Sequence, residues 1–155
     1  MTTQVPQQMI AGGPAFSAYP NSNVSISAGT WTKVQVNTKT FDTANAFDAV
    51  TNYRFQPLVA GYYQVNGVVS GAATSATLFI AAIYKNGVEY VRGNDLRGSA
   101  GFMASASCTV SSLMYLNGST DYIELWGYVG GTSPSINGVA MTGGSYFQAA
   151  LSRAS

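Results

Sequence analysis

Short runs of β-branched and aromatic residues, separated by Gly, Asn, Pro and Ser, constrain the fold more than any other feature of this sequence. The clearest boundary is Lys85-Asn86-Gly87-Val88, because Asn-Gly suits the two positive-φ positions of a type I′ turn. It predicts a hairpin that joins strands at 78–84 and 88–92. No segment has a convincing helical period. The pattern therefore predicts an all-β sandwich or barrel of some nine or ten antiparallel strands.

Three further Asn-Gly pairs divide the chain. Asn117-Gly118 and Asn137-Gly138 fall between apolar runs and predict turns. Asn66-Gly67 lies inside a strand-like run, where it predicts a bulge or a close backbone approach. A jelly roll and an immunoglobulin-like sandwich both fit such a chain. The immunoglobulin fold usually has a Cys-Trp-Cys arrangement, which a chain with one cysteine cannot supply, so the pattern favours the jelly roll.

The absence of histidine and the presence of a single cysteine exclude several kinds of chemistry. The usual zinc and iron ligand sets cannot be assembled, and neither an internal disulfide nor a Cys-His pair can form. Cys108 lies in an apolar, alternating stretch and is predicted to be a small buried hydrophobic residue. The commonest general base is also missing, and the acidic residues fall in no catalytic motif. We therefore expect no enzyme activity, no metal and no cofactor.

Charge is scarce in this chain. Charged residues make up 8% of the 155 residues, against roughly 25% in an average soluble domain. The net charge is +1 and the basic residues form no run, so the sequence does not indicate nucleic-acid binding. The longest strongly apolar run, 78–84, is too short for a membrane helix, and no charged signal-peptide start is present. We expect one domain, made in the cytosol without a signal peptide.

The stretch 122–129 is apolar on both of its predicted faces. Tyr122, Trp126 and Tyr128 share one parity, and aliphatic residues occupy the other. An antiparallel strand in a single sandwich normally has one wet face, so an aromatic outer face indicates a second packing partner. Tyr146, in the closing apolar run, has the same character. We predict that these four residues lie in a subunit interface, since closed cyclic oligomers are the usual way to bury surplus apolar surface.

Spaced aromatics occur at Phe41 and Phe47 and lead into Phe55-Gln56-Pro57-Leu58-Val59-Ala60-Gly61-Tyr62-Tyr63. This stretch resembles the F-x-x-x-x-x-G-x-Y signature of the C1q/TNF-like domains, and the resemblance runs from about residue 15 to residue 153. Lys85-Asn86-Gly87 resembles the "KNG" hairpin of that family. Val65 and Gly67 depart from the pattern, because the family usually has aromatics there. The residues taken as the fold signature are Phe41, Phe47, Phe55, Pro57, Gly61, Tyr63 and Phe147.

The resemblance implies a ten-stranded antiparallel jelly roll that assembles as a homotrimer around a threefold axis. The jelly-roll domain is expected at 14–155, after an N-terminal arm at 1–13. The signature residues are expected to fill the core or to shape turns. Calcium occurs in some relatives, but the acidic residues here show no calcium-loop spacing.

C1q-like modules also occur among phage fibre and head-surface proteins, and a charge-poor β-domain suits a virion surface. We therefore expect a trimeric capsid decoration or cement protein. Its expected partner besides itself is another virion protein, chiefly the major capsid protein, gripped by Val5, Pro6, Met9 and Ile10 of the arm. One alternative is a receptor-binding knob of a tail or head fibre that binds a host-surface glycan or protein. A second alternative is a non-viral lectin-like module.

Overall fold

The computed structural model describes residues 12–101, 103–138 and 143–155. Most of the predicted arm, including Val5, Pro6, Met9 and Ile10, lies outside the described residues. Within them every regular element is a strand and every strand pair is antiparallel, which confirms the all-β prediction. The strands are β1 (Ala15–Tyr19), β2 (Val24–Ser25), β3 (Thr32–Lys33), β4 (Thr38–Asp42), β5 (Phe47–Asp48), β6 (Arg54–Phe55), β7 (Gly61–Lys85), β8 (Val88–Arg97), β9 (Met103–Leu116), β10 (Ile123–Ile136) and β11 (Tyr146–Ala154).

The strands form two layers that share β7. The first part of β7 pairs with β11 and β9, and β1 and β4 extend this front sheet in the order β4-β1-β11-β7-β9. The second part pairs with β10 and β8, and the short strands β2, β3 and β6 pair with the other edge of β10 in this back sheet. The ladder between β7 and β9 breaks between Ala72 and Ala76, and Ser75 has a positive φ of 53° there.

The core lies between the front and back sheets. A Cβ on Gly67 would stand 2.5 Å from the Leu125 side chain, and one on Gly127 would stand 2.7 Å from Val69. These glycines therefore allow the two layers to approach each other closely. Gly67 pairs in regular register with Val110, so the Asn66-Gly67 pair marks a close approach and not a bulge.

Most of the aromatic signature fills this core. The Phe16 ring stacks on Phe47 and Phe55, with centroids 4.4 and 4.6 Å apart, and meets Phe147 edge-on at 5.2 Å. Tyr63 is fully buried, and its hydroxyl donates a hydrogen bond of 2.7 Å to the Val59 carbonyl. Burial raises the pKa of this phenol to about 12. Pro57 and Gly61 are buried as well.

Phe41 is the exception, because it is 49% exposed and takes no part in the core. Its backbone partner on β1 is Ser17, whose neighbour Phe16 points into the core. Since residues opposite each other in a ladder share a face, Phe41 and Ser17 lie on the outer side of the front sheet. The signature residues are expected to fill the core or to shape turns, and Phe41 instead lies in a strand with its side chain outside the core.

The predicted hairpin is confirmed. Lys85 pairs with Val88, and Asn86 and Gly87 have φ values of 54° and 79°, as a type I′ turn requires. Cys108 is fully buried, and its thiol donates a hydrogen bond of 3.2 Å to the Phe79 carbonyl. Burial raises the pKa of this thiol to about 11, so Cys108 packs as a hydrophobic residue.

Candidate functional site

The four residues predicted for a subunit interface lie on two opposite faces of the sandwich. Tyr146 pairs with Val68 and belongs to the front sheet. Tyr122 immediately precedes β10, and Trp126 and Tyr128 lie within it, in the back sheet. The predicted parity of this stretch is confirmed, since the aliphatic side chains between these aromatics are fully buried. The structure brings three of the four residues to one face and leaves the fourth on the other.

On the back sheet, the aromatic side chains are partly covered by the chain itself. Trp31 lies just before β3, and its ring is 5.6 Å from Tyr128 and 6.0 Å from Tyr84, centroid to centroid. Tyr84 in turn stacks on Trp126 at 4.5 Å. We call this surface the aromatic face, defined by Trp31, Tyr84, Trp126 and Tyr128. The second packing partner that the sequence indicated for this strand is thus supplied at least in part by Trp31.

Charged groups are interleaved with these rings. Lys33 pairs with Glu124 at 2.5 Å, and the Trp126 indole nitrogen donates to the same carboxylate at 3.1 Å. Arg92 lies 5.2 Å from the Trp31 ring centroid and makes two hydrogen bonds to Glu89, at 2.9 and 3.1 Å. Burial and the Glu89 charge raise the pKa of Tyr84, and Arg92 partly opposes them.

The outer side of the front sheet is different, because its side chains carry no charge apart from Arg153 at its margin. Its ladder positions follow from the register of β4, β1, β11, β7 and β9. Arg153 pairs with Tyr62 at the margin of this surface. We call it the uncharged face, and it consists of Ser17, Phe41, Tyr62, Gln64, Asn66, Ser111, Leu113, Tyr115, Tyr146, Gln148 and Ala150.

Large apolar side chains are exposed on the uncharged face. Leu113 is 57% exposed, Phe41 49%, Tyr62 44% and Tyr115 41%. The rings of Tyr62 and Tyr115 meet edge-on, 5.6 Å apart. Isolated exposed apolar residues need no explanation, but several on one sheet face without charge are typical of an interaction surface.

Amides and a hydroxyl occupy the centre of the uncharged face. The Gln64 amide donates to the Ser111 hydroxyl at 2.9 Å, and that hydroxyl donates to the Asn66 side-chain oxygen at 2.8 Å. A shallow pocket of about 250 Å³ lies beside them, lined by Phe41, Gln148 and Ala150 among others. The face therefore combines apolar side chains, a neutral polar centre and a recess, as interfaces between proteins commonly do.

The buried and half-buried carboxylates hold loops. Asp48 accepts hydrogen bonds from the amides of Val50, Thr51 and Asn52, and the first two hold its pKa at about 2 despite partial burial. Burial raises the pKa of Asp121, but hydrogen bonds from Lys85, Asn86 and Asn117 outweigh it, and the net pKa is lowered. These acids are thus committed to backbone and side-chain partners. In the described part of the chain, no group of three or more Cys, Asp or Glu residues is placed to hold a metal ion.

An open groove of about 540 Å³ is lined mainly by residues between 44 and 59. Its wall includes Asp48, Lys39 and the exposed side chains of Val50 and Leu58. Lys39 donates to Asp42 at 3.1 Å and to the Asn45 side chain at 3.3 Å, so this cation is engaged by β4 and by the loop that follows it. No helix of the described ranges is long and apolar enough to cross a membrane.

Sequence reasoning missed Tyr62, Leu113 and Tyr115. A signal was present, because 113–116 is apolar at both parities, just as 122–129 is. Met114 and Leu116 turn out to be buried, which leaves Leu113 and Tyr115 outside. The two apolar faces of 122–129 predicted an interface, and the same feature at 113–116 indicates one as well.

No family model matches the sequence, and no curated protein matches it. Solved structures do match. Eiger TNF from S. frugiperda gives a TM-score of 0.66 at 11% identity, covering 93% of this chain and 95% of that one. Murine APRIL gives 0.63 at 12% identity, with coverages of 90% and 98%. The globular domain of the zebrafish complement 1qA protein gives 0.60 at 16% identity, with coverages of 92% and 99%. At these identities the likeness shows the fold alone, and it confirms the predicted C1q/TNF-like jelly roll.

Proposed function

We propose that this chain is a non-enzymatic virion protein of a bacteriophage, which assembles as a homotrimer through the uncharged face. The observation that carries the proposal is that face, on which four large apolar side chains are about half exposed. Leaving such a patch in water is unfavourable, at about 25 cal/mol per Å² of apolar area that could be buried. A second copy of the chain is the partner always present when the protein is made.

In a cyclic trimer, one patch of each subunit contacts a different patch of the neighbouring subunit, because the contacts are heterologous. The uncharged face is one patch, and Tyr146 lies within it. Its neutral centre of Gln64, Asn66 and Ser111 would hydrogen-bond across the interface without the desolvation cost of buried charges. Tyr122, Trp126 and Tyr128 stay predictions for the second patch.

A virion location is supported by composition. Only 8% of the residues are charged, and the surface is made soluble largely by neutral polar groups. C1q-like modules of phage particles fit this description, and a trimer of this size suits a capsid decoration or cement protein. We propose that residues 1–13 attach it to the major capsid protein, after synthesis in the host cytoplasm.

The trimer is tested by the molar mass in solution. Light scattering after size exclusion should give three times the 16.2 kDa of one chain at micromolar concentration. Leu113→Lys places a charge in the uncharged face and should lower the mass toward one chain, with its circular dichroism spectrum retained. Val50→Lys is the control, because Val50 is 82% exposed and lies away from that face. A monomeric wild type, or a trimeric Leu113→Lys, would contradict this interface.

The virion role is tested by binding. Purified protein with and without residues 1–13 should be mixed with capsids stripped of surface proteins and, separately, with candidate host cells. Binding to capsids that depends on 1–13, with no binding to cells, is expected for a decoration protein. Saturable cell binding that does not depend on 1–13 would instead favour the second candidate, a receptor-binding knob, for which the partly exposed rings of the aromatic face are the supporting observation.

A further inference from the structure

The most exposed large apolar side chains of the described residues are those of Val50 and Leu58, at 82% and 80%. Both line the open groove between residues 44 and 59, and Val59, which is 40% exposed, lines it beside them. A single exposed apolar side chain is ordinary, but three that line one groove are typical of a place where an apolar segment binds.

The polar side chains of this groove already have partners within the domain. Asp48 accepts a hydrogen bond from the Asn52 side chain at 2.7 Å, and the Gln56 amide donates to a backbone carbonyl of the loop before β10 at 2.9 Å. The Arg54 guanidinium lies over the Tyr122 ring, 4.3 Å from its centroid. The groove therefore offers mainly apolar surface to an occupant, which should itself be apolar and without charge.

The described chain begins at the rim of this groove. Pro14 is buried and lines the groove, whereas Gly12 is exposed. The chain between them is held in place, because the Gly13 carbonyl accepts a hydrogen bond from the Thr43 hydroxyl at 3.3 Å. Residues 1–11 are thus tethered next to the groove.

The composition of residues 1–11 suits the groove. They contain no charged side chain, since the first in the sequence is Lys33. Met9 and Ile10 are adjacent apolar residues that precede Pro14 by five and four positions, so even an extended chain keeps both within about 17 Å of it. A tether this short gives an effective concentration of about the millimolar range, at which a weak apolar contact forms.

We propose that Met9 and Ile10 dock in this groove of their own chain and cover Val50 and Leu58. The groove then holds the N-terminal segment against the domain, and any partner of that segment competes with the groove for it. The inference does not rest on the virion role or on the trimer, because the segment and the groove belong to one chain. The alternative occupant is the same segment of a neighbouring subunit.

Disulfide trapping measures this contact. Ile10→Cys is combined with Leu58→Cys, and the native thiol does not interfere because it is fully buried. The control combines Ile10→Cys with Ser152→Cys. Ser152 is exposed and does not line the groove, yet it follows Leu151, whose amide donates to the Pro14 carbonyl at 3.0 Å. Under mild oxidation the Leu58 pair should lose its free thiols about tenfold faster than the control pair.

The disulfide should form within one chain, at a rate that does not depend on protein concentration. Equal rates for the two pairs would overturn the proposal, and a disulfide between chains would overturn it in favour of the neighbouring subunit's segment. The same measurement in the Leu113→Lys variant should give the same rate, so a failure of the proposed trimer is read separately.

A second pair of variants tests whether apolar contact holds the segment. Met9→Ser, added to the Leu58 pair, should slow disulfide formation severalfold, because it removes an apolar side chain from the groove. Gln8→Ser is the matched control and should leave the rate unchanged, since it replaces one polar neighbour by another. Equal rates for Met9→Ser and Gln8→Ser would contradict docking through apolar contact.

Discussion

At the residue scale, the Asp48 carboxylate holds the loop between β5 and β6 by accepting hydrogen bonds from it. One carboxylate oxygen accepts from the amides of Val50 and Thr51 at 2.9 and 3.0 Å, and the other accepts from Asn52. The charged form is the better acceptor, so these hydrogen bonds hold the pKa at about 2 in the folded protein. The same loop carries Tyr53 at a positive φ of 49°, a conformation that a tyrosine rarely adopts.

We expect Asp48→Asn to lower the free energy of unfolding by about 1 kcal/mol at neutral pH, which is typical of a lost capping carboxylate. Because the folded pKa lies below the ordinary 3.8, the stabilisation is complete above about pH 4 and is lost as the pH falls toward 2. Urea unfolding of wild type and variant at one protein concentration, between pH 7 and pH 2, measures this. A difference that persists undiminished at pH 2 would show that the charge is not its cause.

Single residues also show why sequence predicts a core better than a surface. Phe47, Phe55 and Phe147 are buried as their spacing in the signature indicates. Phe41 has the same side chain but lies on the opposite side of the front sheet. Its direction depends on the pairing of β4 with β1, whose register shifts between Ser17 and Ala18. Pairing partners are a property of the fold, and the sequence of β4 does not contain them.

At the scale of elements, β8 is held against β9 as well as against β7. A Cβ on Gly93 would overlap the Thr109 carbonyl, and the neighbouring Asn94 side-chain oxygen accepts from the Thr109 amide at 2.5 Å. The outer edge of the back sheet is thereby joined to the edge of the front sheet. An edge strand secured in this way offers fewer free backbone groups to other chains.

Gly93→Ala should therefore lower the free energy of unfolding by about 2 kcal/mol, because the added methyl must push β8 away from Thr109. The control is Gly12→Ala, since a Cβ there meets nothing within 4 Å. Denaturant unfolding of both variants beside wild type gives the comparison. If the Gly93 variant were as stable as the control, the two edges would not be in firm contact.

Elements with strong local signals were predictable and those without were not. The Asn86-Gly87 turn fixed its hairpin, and the apolar alternation located β9 and β10. The two-residue strands β2, β3, β5 and β6 carry no pattern long enough to see, and they exist because β10 and one another offer partners. The 25-residue β7 was also unexpected, since the small residues at 71–76 are typical of a loop.

The candidate sites, too, could be predicted only where a local sequence pattern indicates them. The parity of Trp126 and Tyr128 was predicted correctly from alternation. That Trp31 covers them could not be predicted, because it lies in a segment far earlier in the chain and reaches them only through β3 and its pairing with β10. The uncharged face is assembled from five strands, and only the assembled sheet shows that its outer side carries no charge apart from Arg153 at the margin.

At the scale of the whole molecule, the few charges are distributed unevenly. The pair Lys33–Glu124 lies on the aromatic face, Lys85–Asp121 joins the end of β7 to the loop before β10, and Lys39–Asp42 lies within β4. The uncharged face has none among its defining side chains. Association through that face would rest on apolar burial and neutral hydrogen bonds, with little Coulombic contribution.

That distribution predicts how the trimer responds to salt. Raising sodium chloride from about 0.05 M to about 1 M shortens the screening length severalfold and weakens contacts between exposed charges. Contacts that bury apolar surface are unaffected or strengthened, and sulfate strengthens them more because it is excluded from the protein surface. We expect the trimer dissociation constant, measured by sedimentation across this range, to stay constant or to fall, and to fall further in sulfate. Dissociation at high sodium chloride would mean that charged residues hold the subunits together, and it would move the interface from the uncharged face to the cations and carboxylates of the aromatic face.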